Sequence, residues 1–323
     1  MYLEENKMEN IYIIMATYNG AKYIESQIKS IQAQTYENWT LIVQDDGSTD
    51  KTVEIIQEMK KSDSRINITI NNSEYHGAFE NFYTLINKVK NGDFGTNYSY
   101  IALSDQDDIW HEDKLEKQIK LIKSTDTQPS LVYSNYRIID ENNAVIMKDA
   151  NSQIGLVPSS PLALFFANAY VWGNTVVFNK QLIEKLDIDE DVITSGYPHD
   201  AYLAKIATLI GEIKFNDEIL IDYRRFSDNV SATMWYKLSI LDFLKKLNPA
   251  VRSKTLGVTL DQDLLITNKY RTSAGESLAN IIRIGGLRGI LYLKRNNIRR
   301  KQSLRNISLY IVFCSGIYKK WIR

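Results

Sequence analysis

The chain has 323 residues, 44% of them hydrophobic and 24% charged, with 15 Gly and 5 Pro. That ordinary globular composition suits one large domain or a domain with an appendage, and excludes a disordered, collagen-like or coiled-coil chain. The single cysteine, Cys314, excludes a disulfide framework and a multi-cysteine metal site. The net charge of zero hides a split: residues 231–323 hold 18 Lys/Arg against 4 Asp/Glu, or +14, leaving −14 for residues 1–230. Such asymmetry points to two jobs, with a boundary expected near Ser231. Residues 1–10 contain no apolar run, so no export signal is visible and the cytoplasm is the expected compartment.

Residues 11–16, 40–43, 66–70 and 98–103 are short runs rich in β-branched and aromatic residues, and read as strands. Between them lie helical spacings: Ile24, Ile28 and Ile31; Val53, Ile56 and Met59; Phe79, Phe82, Ile86 and Val89. A fourth helix carries Leu115, Ile119 and Ile122. This alternation predicts an α/β fold with a mostly parallel central sheet and helices on both faces. Residues 129–230 read as α+β, with strands near 131–133, 175–178, 213–215 and 219–223 and helices near 162–167 and 202–209. Residues 1–123 thus form one half, 124–230 a second, and 231–323 a basic helical extension. That extension opens with Leu238, Leu241, Leu244 and Leu247; its most apolar stretch, 307–318, would span about 18 Å as a helix against about 30 Å of hydrocarbon, too short to cross a bilayer.

Ligands of open α/β sheets bind outside the carboxyl ends of the strands. Each strand here is followed by polar residues: Thr17-Tyr18-Asn19-Gly20, Asp45 to Asp50, Asn71 to Gly77, and Ser104 to Asp108. No G-x-G-x-x-G follows the first strand, and no Walker loop or G-x-S-x-G elbow is present. Three histidines make a His-based zinc site a poor expectation.

Asp105-Gln106-Asp107-Asp108 places three carboxylates in four residues, which repel unless a cation offsets them. Mg²⁺ or Mn²⁺ bound with a substrate diphosphate would do so; a solvated turn into a helix is the other reading. Asp45 and Asp46 could receive a base or ribose, or form a turn and helix cap. Asp200 is either a helix-start aspartate or a general base. Arg224 and Arg225 could neutralise phosphate or lie solvated.

Together, Ala16 to Gly20, Gln44 to Asp50 and Asp105 to Asp108 resemble, in order and spacing, the signatures of family-2 nucleotide-sugar glycosyltransferases of the GT-A fold, over residues 11–229. Asp105 to Trp110, His199-Asp200, Tyr223-Arg224 and Asn229 resemble the bacterial rhamnosyltransferase-type branch. The resemblance implies that Thr17, with Tyr18 and Asn19, and Asp46 would sit around the base and ribose. Asp105 would face the ribose or sugar, Asp107 would bind the metal, Arg224 would join the nucleotide-sugar site, and Asp200 would be the base of an inverting transfer. Phe226 stands where the family often has His. The implied activity moves a sugar, rhamnose from dTDP-rhamnose first, to a glycan or polyprenyl-linked acceptor in bacterial surface polysaccharide synthesis. A UDP-hexose transferase and a non-catalytic nucleotide-sugar or glycan-binding module are the alternatives. A nucleotidyltransferase would need a Gly-rich loop that residues 17–20 do not supply.

Lys294-Arg295 and Arg299-Arg300-Lys301 lie between the apolar stretches 290–293 and 307–313. This interleaving suits a helix in an anionic membrane interface, hence a peripheral position on the inner membrane face. Packing on the catalytic domain or on a second subunit of a homo-oligomer is the alternative. No nucleic-acid module is recognisable, so no nucleic-acid partner is expected.

Overall fold

The computed structural model describes residues 9–125, 127–166, 170–226, 249–300 and 303–322. Strands and helices alternate as β1 (Ile11–Thr17), α1 (Ile24–Gln32), β2 (Trp39–Asp45), α2 (Thr52–Ser62), β3 (Ile66–Ile70), α3 (Ala78–Asn91) and β4 (Tyr100–Ser104). The first five residues of β1 are all buried, as an interior strand covered on both faces must be. Beyond β4 come β5 (Ile109–Trp110), α4 (Lys114–Ile122), β6 (Ser130–Ile139), β7 (Val145–Met147) and α5 (Ala150–Ile154). They are followed by β8 (Val176–Asn179), α6 (Lys180–Lys185), α7 (Glu190–Thr194), α8 (His199–Ile210) and β9 (Glu212–Arg224).

The sheet runs β3-β2-β1-β4-β8-β6-β9-β5, with β7 on β6. Its first four strands are parallel, as expected. The sheet then becomes mixed: β8 is antiparallel to both β4 and β6, and β6 is parallel to β9. Two details differ from the expected elements. The strands expected at 213–215 and 219–223 are one strand, β9, whose register against β6 shifts between Ser134 and Arg137. The helix expected at 162–167 is a 3-10 turn, Pro161–Phe166, in which Ala163, Leu164, Phe165 and Phe166 are all buried. Four consecutive buried side chains do not fit the single apolar stripe of a surface α-helix.

The basic extension forms α9 (Pro249–Lys269), α10 (Ser273–Ile284), α11 (Gly286–Arg295) and α12 (Ser303–Ser315). The expected boundary at Ser231 and the leucines from Leu238 to Leu247 lie outside the described residues, as does Asn229. Among the described residues no helix is long and apolar enough to cross a membrane. These helices share one core with the rest of the chain: Leu260, Leu264, Ile266, Leu278 and Phe313 belong to the same buried cluster as β1 and β4.

A buried ion pair fixes α9 to α8. Lys205 Nζ lies 2.7 Å from Asp263 Oδ1, with 1% and 0% of the side chains exposed. Tyr197 completes the cluster, its hydroxyl donating to Asp263 Oδ1 at 2.5 Å and accepting from Lys205 at 2.5 Å. Burial pushes the lysine down and the carboxylate up, and each partner opposes the other's shift. Removing one member leaves an uncompensated charge in the interior. Asp263→Ala is therefore expected to lose about 3–5 kcal/mol in urea denaturation. The double variant Lys205→Met/Asp263→Leu should recover most of that loss, and a double variant as unstable as the single one would show that packing, not charge, is at stake.

Candidate active site

β1 and β4 are neighbours, yet the order 3-2-1-4 sends their onward connections to opposite sides, which leaves a crevice outside their carboxyl ends. The loop after β1 is held by a residue of the loop after β4. Thr17 Oγ1 donates to Gln106 Oε1 at 2.5 Å, the Tyr18 N–H donates to the same oxygen at 3.0 Å, and Gln106 Nε2 returns to the Tyr18 carbonyl at 3.1 Å. A Cβ at Gly20 would lie 2.3 Å from Gln106 Oε1, so any side chain there would have to push the Gln106 amide away from the β1 loop. Asn19, left-handed at φ 47°, donates its N–H to Ser48 Oγ at 2.8 Å and accepts the Thr49 N–H at 2.9 Å. The ring of Tyr18 is left 55% exposed.

Asp45 ends β2, Asp46 follows it, and Asp105, Asp107 and Asp108 follow β4; their partners sort them. Asp45 is buried and accepts the N–H groups of Gly47 and Ser48 and the Ser48 hydroxyl, at 3.1, 2.9 and 2.5 Å. Asp46 accepts from Asn71 Nδ2 at 2.7 Å and the Gly77 N–H at 2.8 Å, with His76 Nδ1 2.8 Å from Oδ1. It thereby ties the β2 and β3 loops together. Asp108 is buried and accepts from Asn174 Nδ2 at 2.5 Å and the Arg224 N–H at 2.9 Å.

Asp105 and Asp107 differ. Among the described residues no hydrogen-bond donor reaches the Asp105 carboxylate, and Asp107 has its own backbone N–H and the field of Arg224. Burial pushes Asp105 up, and the neighbouring Asp107 and Asp200 carboxylates push it further. Burial also pushes Asp107 up, against the pull of Arg224. Two crowded carboxylates with no side-chain hydrogen-bond donor among the described residues fit a hard divalent cation that draws its other ligands from phosphate and water. Among the described residues no three His, Cys, Asp or Glu side chains gather to hold an ion alone.

Asp200 enters from the start of α8. Its Oδ2 accepts the Gly173 N–H at 3.0 Å and its Oδ1 accepts the Ala201 N–H at 2.6 Å. Burial pushes it up to about 6, and these N–H groups oppose the rise. His199 stacks on Phe82 with ring centroids 4.0 Å apart, and burial pulls it down to about 3, so it is neutral at physiological pH. A Cβ at Gly173 would stand 2.8 Å from His199 Nε2, which is why the turn that reaches Asp200 needs glycine.

Arg224, expected in the nucleotide-sugar site, lies against Asp107. Its side chain is buried and donates to the Asp107 carbonyl at 2.8 Å, the Asp140 carbonyl at 3.1 Å and Asn143 Oδ1 at 2.6 Å, with its guanidinium 4.5 Å from the Tyr23 ring centroid. What reaches the cleft is its charge, through Asp107. Phe226 stacks on Tyr23 at 5.5 Å, so aromatic packing stands at the position where the family often has a histidine.

A family model described as Glycosyl transferase family 2 matches residues 12–186, more than half of the chain. The chain belongs to glycosyl transferase family 2. As a family-2 chain it is 45% identical over 106 residues to a dTDP-rhamnosyl transferase, RfbG, of Shigella flexneri, covering 32% of this chain and 35% of that protein. It is 38% identical over 135 residues to WfgD of Escherichia coli, a UDP-Glc:alpha-D-GlcNAc-diphosphoundecaprenol beta-1,3-glucosyltransferase, covering 42% and 49%. These matches thus span about a third and about half of the two relatives' own lengths. Among solved structures, the Pyrobaculum calidifontis mannosyltransferase PcManGT in complex with GDP-Man and Mn²⁺ has a TM-score of 0.52 at 16% identity, over 98% of this chain and 87% of that one. Staphylococcus aureus TarS 1–349 in complex with UDP has a TM-score of 0.51 at 14% identity, over 95% and 92%. At these identities the likeness is one of fold, and it establishes the GT-A arrangement for this family-2 chain.

The sequence read Gln106 and Asp108 only as parts of the tetrapeptide after β4 and did not single out Asn174 or Gly173, although all four position the residues assigned to the site. Asp108→Ala would strand two buried donors, Asn174 Nδ2 and the Arg224 N–H, at roughly 1–3 kcal/mol each. The urea midpoint should fall accordingly, while Asp108→Asn, which keeps an acceptor for Arg224, should lose less than half as much. Equal losses would mean that the charge of Asp108, and not its hydrogen bonds, holds the segments together.

Proposed function

We propose that this family-2 chain transfers a sugar from a nucleoside-diphosphate donor to a hydroxyl of a glycan or polyprenyl-linked acceptor, with inversion at the anomeric carbon, in bacterial surface polysaccharide synthesis. The observation that carries this reading is the convergence of Asp105, Asp107 and Asp200. Among the described residues the first two have no side-chain hydrogen-bond partner, and Asp200 lies near enough to raise Asp105. Rhamnose from dTDP-rhamnose is the preferred donor, supported by the local 45% identity to the Shigella enzyme. A UDP-linked hexose is the second choice, supported by the E. coli glucosyltransferase.

The exposed Tyr18 ring, with Thr17, Asn19 and Asp46, borders the place for the base and ribose. Asp107, with Asp105 beside it, would hold Mg²⁺ or Mn²⁺, which when bound offsets charge on the departing diphosphate. Asp200 takes the proton of the acceptor hydroxyl as that oxygen attacks the anomeric carbon. The bond from that carbon to the diphosphate oxygen breaks, and its electron pair leaves with the nucleotide. Entry and departure on opposite faces give inversion. The two N–H donors on Asp200 fix the carboxylate while leaving it lone pairs for the proton.

Only ionised Asp200 can act as the base. With its carboxyl raised to about 6, kcat should fall as pH drops through that value, tending to about tenfold per pH unit below it. Asp200→Asn should lower transfer roughly 10²–10⁴-fold and leave nucleotide affinity intact; loss of both would make Asp200 structural. Asp107→Asn should abolish the Mn²⁺-dependent part of nucleotide binding in calorimetry without unfolding the chain, and retained metal dependence would remove Asp107 from this role. Calorimetry with dTDP, UDP and GDP, each with Mn²⁺, decides the donor. Preference for dTDP supports rhamnose, and preference for UDP supports the second choice.

A further inference from the structure

Among the described residues, α11 and α12 each bury one side and expose a pair of aliphatic side chains on another. On α11, Gly289 and Leu293 are buried, and a Cβ at Gly289 would press on the Phe313 ring of α12. The opposite face carries Leu287, 73% exposed, and Leu291, 53% exposed, one turn apart. α12 repeats the arrangement: Leu309, Val312 and Phe313 are buried, while Ile307 and Ile311, again one turn apart, are each 53% exposed. Among the described residues, seven of the twelve exposed large apolar side chains fall after residue 257. Scattered single residues would need no explanation, but paired stripes on adjoining helices do.

The charge around these stripes says what covers them. Residues 277–323 hold 11 Lys/Arg and no Asp/Glu. Arg288 lies beside Leu287, and Lys294 and Arg295 close the same helix, all three exposed. A second copy seated face to face would bring like charges together. A nucleic acid would satisfy the cations and leave Leu287, Leu291, Ile307 and Ile311 in water. An anionic bilayer surface satisfies both, taking the aliphatic side chains below the headgroups and the cations among the phosphates.

We propose that α11 and α12 form a docking surface for an anionic lipid bilayer, with Leu287, Leu291, Ile307 and Ile311 as the inserting side chains and Arg288, Lys294 and Arg295 as the headgroup contacts. The surface stands independently of the transfer chemistry, and its test needs no sugar donor. The full chain is sedimented with vesicles of phosphatidylcholine alone and of phosphatidylcholine mixed with phosphatidylglycerol. It should bind the mixed vesicles and not the neutral ones, less tightly as salt rises. Leu287→Ser/Leu291→Ser and Ile307→Ser/Ile311→Ser should each lower partitioning by about tenfold or more, with circular dichroism and melting temperature unchanged. Arg288→Glu/Arg295→Glu should weaken binding and flatten its salt dependence. No binding, equal binding to both vesicle types, or folded serine variants that bind like the parent would overturn the proposal. So would a dimer, seen by light scattering, that the serine substitutions dissociate.

Discussion

One buried carboxylate joins the parts of the cleft. Asp108 accepts the Asn174 amide from the turn that precedes β8 and the Arg224 N–H from the end of β9, while its own segment follows β4. Asn174 is next to Gly173, whose N–H holds Asp200, and the Arg224 guanidinium caps the Asp107 carbonyl. Arg224 therefore sits one hydrogen bond from Asp108, and Asp200 is reached from it through Asn174 and its neighbour Gly173. A carboxylate is costly to bury, and burial pushes this one well up, so it persists only because both oxygens are engaged. It thereby joins its own segment to two others, 66 and 116 residues away in sequence.

Alternate residues of the tetrapeptide after β4 do different work. Asp105 and Asp107 meet the cleft, Gln106 ties down the β1 loop, and Asp108 anchors the interior. In sequence the three aspartates are indistinguishable, because the partners that sort them are 66 and 116 residues away. The alternating first half was legible, since β-branched runs and 3.6-residue spacings are local signals, and residues 66–70 form β3 as expected. The 3-10 turn Pro161–Phe166 and the bulged β9 were not, for their conformations answer to core packing and to the register of β6. Arg224 shows the same limit. A cation late in the chain suggests a phosphate partner, and only the fold reveals two carbonyls and Asn143 around its guanidinium.

The charge split has a related resolution. Among the described residues, Lys269 of the extension lies against Asp187 and Asp189, and the buried Lys205–Asp263 pair runs the other way, with the acid on the extension. Arg288, Lys294 and Arg295 are exposed, where ion pairs contribute little to stability but long-range attraction to anionic partners is retained.

The buried pair is better understood through helix α8. Asp200 stands at the start of that helix and Lys205 five residues on, so the helix is held near its start by the Gly173 N–H on Asp200 and farther along by Asp263 of α9. A buried ion pair is weak evidence for stability, since apolar residues of the same volume often do as well. It does impose one register: sliding or rotating α8 against α9 would separate two fully desolvated charges and break the Tyr197 hydrogen bonds with them. In the proposed transfer, Asp200 as base must be placed to within about an ångström of its proton. Packing α9 against α8 through a charge pair, rather than through interchangeable leucines alone, is a physical means of meeting that tolerance, and it gives the extension a part in the site that neither its composition nor its distance from Asp200 in sequence announces.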